Sequence, residues 1–171
     1  KESIFETNPA FFNDGRTKII EYASFFGSNE IIHYLVSNEV KLMPNMWIYA
    51  MHSNSDELIH YLEDQGIAPE REQCEEILRE SIKCHHNDEA MFVINNLIKD
   101  EDLTYNEENN FYENLYRYSV EYYNYNFFPK DRKNKYMFFY LCEFGYYTLV
   151  NFYLTTEYIS INETIVCILI L

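Results

Sequence analysis

The sequence predicts an all-α protein made of stacked helical hairpins, and three observations lead there. A stretch recurs: across residues 17–40 and 44–67, Tyr22, Ala23, Ser28, Glu30, Ile32, His33, Tyr34 and Leu35 align without a gap on Tyr49, Ala50, Ser55, Glu57, Ile59, His60, Tyr61 and Leu62. A fixed period of this size marks a repeat array, in which each unit buries its apolar face against the next. Apolar residues also keep helical spacing on both sides of a turn residue, so each unit is a pair of short helices. Finally, the turn-forming residues Gly27 and Asn54 fall at the same place in the two copies.

Taken in order, Ile19, Ile20, Tyr22, Ala23 and Phe26 form the stripe of a first helix, and Ile31, Ile32, Leu35 and Val36 that of a second. Gly27 ends the first helix because glycine takes the left-handed conformation at least cost, and Asn54 is the next choice at the matching place. Ser28 and Ser55 follow as N-caps. Pro44, which lacks an amide hydrogen, suits the first turn of the next helix. Ala23 and Ala50 leave room for two helices to cross closely.

A third copy reads Ile82-x3-His86-x3-Ala90-Met91-x2-Ile94, with Asp88-Glu89 echoing Asp56-Glu57. A later one reads Leu141-x3-Gly145-x3-Leu149-Val150, closed by Leu154. Between them Phe111, Leu115, Ser119 and Tyr122 keep helical spacing, which predicts one helix whose partner is short or lost. The acid-rich residues 99–110 and the proline-containing residues 124–135 read as surface loops. The expected organisation is a single domain over 1–171. Its repeats span about 17–43, 44–71 and 72–104, then a degenerate unit 105–131, a repeat 132–160, and the start of a truncated one at 161–171.

The pattern small-x3-Gly-x3-aliphatic-aliphatic-x2-Leu resembles the ankyrin repeat. Two departures stand out: the Thr-Pro-Leu-His opening of the first helix is missing, and Asn38 to Asn45 is too short for a full β-hairpin finger. The resemblance therefore implies a helical-hairpin solenoid of ankyrin type with short or missing fingers. The flavour of Trp47-Ile48-Tyr49-Ala50, of Ser81 to Asp88 and of Tyr140-Leu141-Cys142 is similar to the divergent ankyrin family of trichomonad protozoa. What such a family implies is a protein-binding scaffold that presents successive first helices along a concave surface. By repeat position, Glu21, Ser24, Ile48 and Met51 are the residues expected near that surface, with Ile48 and Met51 as apolar anchors.

Composition narrows the partners. A net charge of −15 sets a negative field over the surface, which disfavours nucleic acid and anionic membranes and favours basic or neutral proteins. The 17 tyrosines and 13 phenylalanines are read chiefly as filling between layers. Cys74, Cys84, Cys142 and Cys167 lack the spacing of a disulfide or zinc framework, which points to a reducing cytosolic or nuclear compartment. Lys1 is not an initiator residue, so the chain is expected to be a fragment. The apolar run 164–171 is far shorter than the roughly 20 residues of a membrane helix. It predicts a sticky end and self-association.

Candidate chemistry is sparse. Cys84-His85-His86 offers a thiol and imidazoles without further ligands nearby, and His86 falls in a turn slot. His33 and His60 occupy equivalent positions in consecutive second helices, which invites a ladder. His52 and Cys142 stand alone, Trp47 takes an inward slot, and the charged run Glu70–Glu76 and the basic residues Lys130, Arg132, Lys133 and Lys135 read as solvated surface. No GxGxxG, GxxxxGK[ST], HExxH or GxSxG is present. The expectation is a protein without enzymatic activity, cofactor or metal. A self-associating structural segment is the alternative, and an enzyme with a site in 105–145 is the remotest.

Overall fold

The computed structural model describes residues 2–3, 17–98, 105–129 and 135–156. Over these the chain is mostly helical, with one short antiparallel pairing of β1 (Glu2–Ser3) against β2 (Thr17–Lys18) ahead of the first helix. The helices are α1 (Ile19–Phe25), α2 (Asn29–Ser37), α3 (Met46–Ser53), α4 (Asp56–Asp64), α5 (Arg71–Lys83), α6 (Asn87–Phe92), α7 (Tyr105–Glu121), α8 (Lys135–Glu143) and α9 (Tyr147–Thr155). A π-turn over Val93–Leu97 prolongs α6, and a 3₁₀ turn, Tyr125–Phe127, follows α7. The chain divides into two compact units, Lys1–Lys99 and Asp100–Leu171. Their boundary falls in the acid-rich sequence KDEDLT.

In the first unit α1 packs on α2, α3 on α4 and α5 on α6, while α1 also packs on α3 and α3 on α5. Three hairpins thus stand side by side with their first helices in a row. The row is buried through Ile20, Ala23, Met46, Tyr49, Ala50, Ile77, Leu78 and Ile82. Each large aliphatic side chain so placed contributes about 1.5–3 kcal/mol by leaving water. Trp47 is buried in its inward slot, where its indole N–H donates to the Ile67 carbonyl at 2.8 Å and its ring stacks on Phe92.

One turn geometry recurs after every first helix. Gly27, Asn54, His85, Tyr123 and Gly145 all have positive φ, between 53° and 74°. One residue later the chain closes back on the helix, with the amides of Ser28, Ser55, His86, Asn124 and Tyr146 donating to the carbonyls of Ala23, Ala50, Ser81, Ser119 and Leu141. This left-handed exit satisfies carbonyls that the helix end leaves free. It also corrects the third copy by one residue: His85, not His86, takes the turn slot, and the small buried residue matching Ala23 and Ala50 is Ser81. Ser119 and Tyr123 repeat this geometry after α7, where a 3₁₀ turn follows instead of a second helix.

Other expectations shift as well. Residues 105–110, read as loop, begin α7, continuous with the helix that carries Phe111 and Leu115. Ser55 caps α4 by accepting from the Leu58 amide at 3.2 Å, whereas the Ser28 side chain makes no cap bond to α2. Several rings expected as interlayer filling are exposed, among them Tyr34, Tyr123, Tyr125 and Tyr147. In the second unit α7 packs on α8 and α8 on α9, around Val120, Met137, Tyr140 and Leu141. The apolar run 164–171, Cys167 and the basic residues Lys130, Arg132 and Lys133 lie outside the described residues.

Candidate functional site

The four residues expected at the recognition surface are all buried. Glu21 accepts from the Lys18 backbone N–H at 2.8 Å, capping α1, and from the Asn45 amide at 2.7 Å. Ser24 donates to the Ile20 carbonyl within the same helix. Ile48 lines a hollow together with Glu76 and Ile77 of α5, and the Met51 carbonyl meets His86 Nδ1 at 2.8 Å. The cause is the row itself: α3 is flanked by α1 on one side and α5 on the other, and Glu21 of α1 meets Asn45 at the start of α3, so these positions face neighbouring helices rather than water. Repeat position identified these residues correctly as equivalent, but not which flank meets water.

What does reach water is a stripe on the outer side of α1. Ile19, Tyr22 and Phe26, spaced three and four residues apart on one face, are 44%, 45% and 56% exposed. Their counterparts one repeat on, Met46 and Tyr49, are 0% exposed, with Ser53 half-buried at the third place. Tyr49 faces Phe25 across the α1–α3 contact, with ring centroids 6.4 Å apart. The same position is therefore interior when a hairpin precedes it and open at α1. Beside the stripe, a hollow of about 500 Å³ is lined by Ile19, Ile20, Tyr34, Leu35 and Val40.

A second cluster joins the second and third hairpins. The end of α3 brings His52, and the last turn of α5 brings Glu80 and Cys84, which share a face because four residues make about one turn. Glu80 is 1% exposed, and its Oε1 lies 2.7 Å from His52 Nδ1 and 3.4 Å from Cys84 Sγ. Lys83 Nζ donates to Oε2 at 3.1 Å and to Oε1 at 3.3 Å. Burial pushes the Glu80 carboxyl up, but the hydrogen bonds from His52 and Lys83, the Lys83 charge and the Cys84 thiol outweigh it and hold it below its ordinary value. Cys84 goes the other way, pushed up to about 11 by burial and by the charge and hydrogen bond of Glu80. The His52 ring is fixed in plane by stacking on Phe25, centroids 4.0 Å apart.

This arrangement is not a nucleophile–base–orienter relay. Such a relay uses opposite ring nitrogens, whereas here Nδ1 alone faces both Glu80 and Cys84, the latter at 3.5 Å. The thiol also holds its proton at neutral pH, where a nucleophile needs thiolate.

The remaining candidates disperse. Cys84, His85 and His86 point apart: Cys84 to His52, His86 to the Met51 carbonyl, and His85 into the exposed turn. His33 and His60 form no ladder. His33 Nε2 meets Glu57 at 3.2 Å and its ring packs on Tyr61, while His60 pairs with Glu63 in its own helix. In region 105–145, Tyr140 donates to Glu113 at 2.9 Å, and burial together with that carboxylate pushes its phenol up.

Sequence reasoning singled out His52 and Cys84 separately and passed over Glu80. No helix among the described residues is long and apolar enough to cross a membrane. No family model, curated protein or solved structure matches the chain.

Proposed function

We propose that the chain is a protein-binding module, an array of helical hairpins of ankyrin type with reduced fingers, which acts by surface recognition without bond chemistry of its own. The observation that carries this reading is the open stripe of Ile19, Tyr22 and Phe26, at positions that the next repeat buries under a neighbouring helix. The residues at positions that take a neighbouring helix in the next repeat are exposed here, and they include aromatic side chains of the kind that concentrate binding energy. The occupant it suits is an apolar helical segment of a protein partner. The net charge of −15 favours a basic or neutral one over nucleic acid.

The test is affinity capture with the native chain and with a Tyr22→Glu/Phe26→Glu variant whose far-UV circular dichroism is unchanged. A protein retained by the first and lost by the second supports the reading, and identical recovery by both ends it. The same stripe also favours a second reading, in which another copy of the chain is the occupant. Light scattering against concentration separates them, because dimers abolished by the two substitutions would make the partner a second copy.

A further inference from the structure

We propose that His52, Glu80 and Cys84 form a binding site for a thiophilic divalent cation of the zinc class, tying the second hairpin to the third. Three donor atoms of three kinds, an imidazole nitrogen, a carboxylate oxygen and a thiol sulfur, lie within 4.8 Å of one another. Tetrahedral zinc, with bonds of about 2.0–2.3 Å, separates its ligand atoms by about 3.3–3.6 Å. The two edges that involve sulfur, Sγ to Oε1 at 3.4 Å and Sγ to Nδ1 at 3.5 Å, already have that length. Only the edge from Nδ1 to Oε1, now 2.7 Å, has to open, by about 0.6 Å, as its hydrogen bond is exchanged for two metal bonds.

The surroundings suit such an ion. Glu80 supplies a buried negative charge, while His52 is a quarter exposed and Cys84 half-buried, so water reaches two of the three ligands. Lys83 can stay on Oε2 while giving up its 3.3 Å contact to Oε1, orienting the carboxylate as Oε1 turns to the metal, and Phe25 holds the imidazole plane. On binding, the Cys84 thiol gives its proton to water and forms the sulfur–metal bond, while the proton that Nδ1 donates to Glu80 leaves to water as Nε2 takes one up, so that His52 binds as the neutral tautomer protonated at Nε2. A mixed set of nitrogen, sulfur and oxygen discriminates against magnesium and calcium, which take oxygen ligands.

The experiment is titration of the metal-free, reduced full chain with cobalt(II). The expected result is one equivalent bound with a thiolate-to-cobalt charge-transfer band in the near ultraviolet. Zinc displaces the cobalt and raises the unfolding temperature. Cys84→Ser removes the band while circular dichroism stays native, and His52→Ala weakens cobalt binding at least about 10-fold. Cys142→Ser, at an exposed thiol in the other unit, leaves the band intact. Absence of a charge-transfer band overturns the proposal, and so does a band that survives Cys84→Ser, which would place the ion on another cysteine.

Discussion

Glu80 and His52 meet between two hairpins, the carboxylate Oε1 lying 2.7 Å from the imidazole Nδ1 although 28 residues separate them. Glu80 is buried from water and also accepts from Lys83 and Cys84. Removing it by Glu80→Ala leaves three donors without their acceptor. The expected loss is about 2–3 kcal/mol in urea unfolding of the metal-free protein, less than the about 3–5 kcal/mol of a wholly buried pair because His52 and Lys83 keep access to water. A loss under about 0.5 kcal/mol, the scatter of an ordinary surface substitution, would show that the network does not hold the hairpins together.

The turn after each second helix offers a cleaner test of backbone strain. Glu39 has a φ of 67°, and its counterpart one repeat on is Gly66, with a φ of 68°. Their chain reversals match, the Val40 amide donating to the Leu35 carbonyl and the Ile67 amide to the Leu62 carbonyl. Left-handed backbone costs an L-residue about 1–2 kcal/mol, partly offset by the greater chain freedom that glycine loses on folding. Glu39→Gly is expected to stabilise the chain by about 0.5–1 kcal/mol. Gly66→Ala should lower stability by about 1 kcal/mol although a Cβ there meets nothing within 4 Å. Urea midpoints of the two variants moving the same way would refute the shared geometry.

How far the sequence was legible follows from what is local. Gly27 and Asn54 sit where their backbone preferences put them, and Ala23, Ala50 and Trp47 are buried as their spacing requires. Tyr123 was passed over because tyrosine does not favour the left-handed turn that the fold imposes on it, and His85 because the third copy was aligned one residue on, at His86. The 3₁₀ turn after α7 has the same origin: Tyr125–Phe127 carries too short an apolar pattern to announce a helix. Site residues were harder. Whether Ile48 and Met51 meet solvent depends on both neighbouring helices, a relationship that no single repeat encodes. Glu80 looked like one more acid in a charged helix, and only its contact with His52 in the preceding hairpin sets it apart.

The second unit is expected to weaken in alkali. Burial, then the Glu113 carboxylate, pushes the Tyr140 phenol up, and burial, then neighbouring Tyr125, does so for Tyr146, whose hydroxyl donates to the Val120 carbonyl at 2.6 Å. A folded value raised above the unfolded one, about 10 for a phenol, means stability fully present below about pH 10 and lost as the pH climbs towards the folded values. Urea unfolding followed by tyrosine circular dichroism should therefore give a lower midpoint at about pH 11 than at about pH 8. Tyr140→Phe/Tyr146→Phe should flatten that dependence. A native chain whose midpoint does not change would contradict the assignment.

Trp47 turns the division of the chain into a measurement. It is the sole tryptophan, 1% exposed, and held by Ile67 and Phe92 inside the first unit. Its emission is expected to be blue-shifted in the native chain and to move to the red only when residues 1–99 unfold. Far-UV circular dichroism responds to helices of both units. Two units that unfold independently give a fluorescence transition that departs from the dichroism transition, whereas one cooperative array gives coincident curves. The expected outcome is departure, with Glu80→Ala moving the fluorescence curve and leaving the remaining dichroism step in place. Coincident curves in both proteins would mean that the first-helix row behaves as one folding unit along its whole length, as the repeat period alone implied.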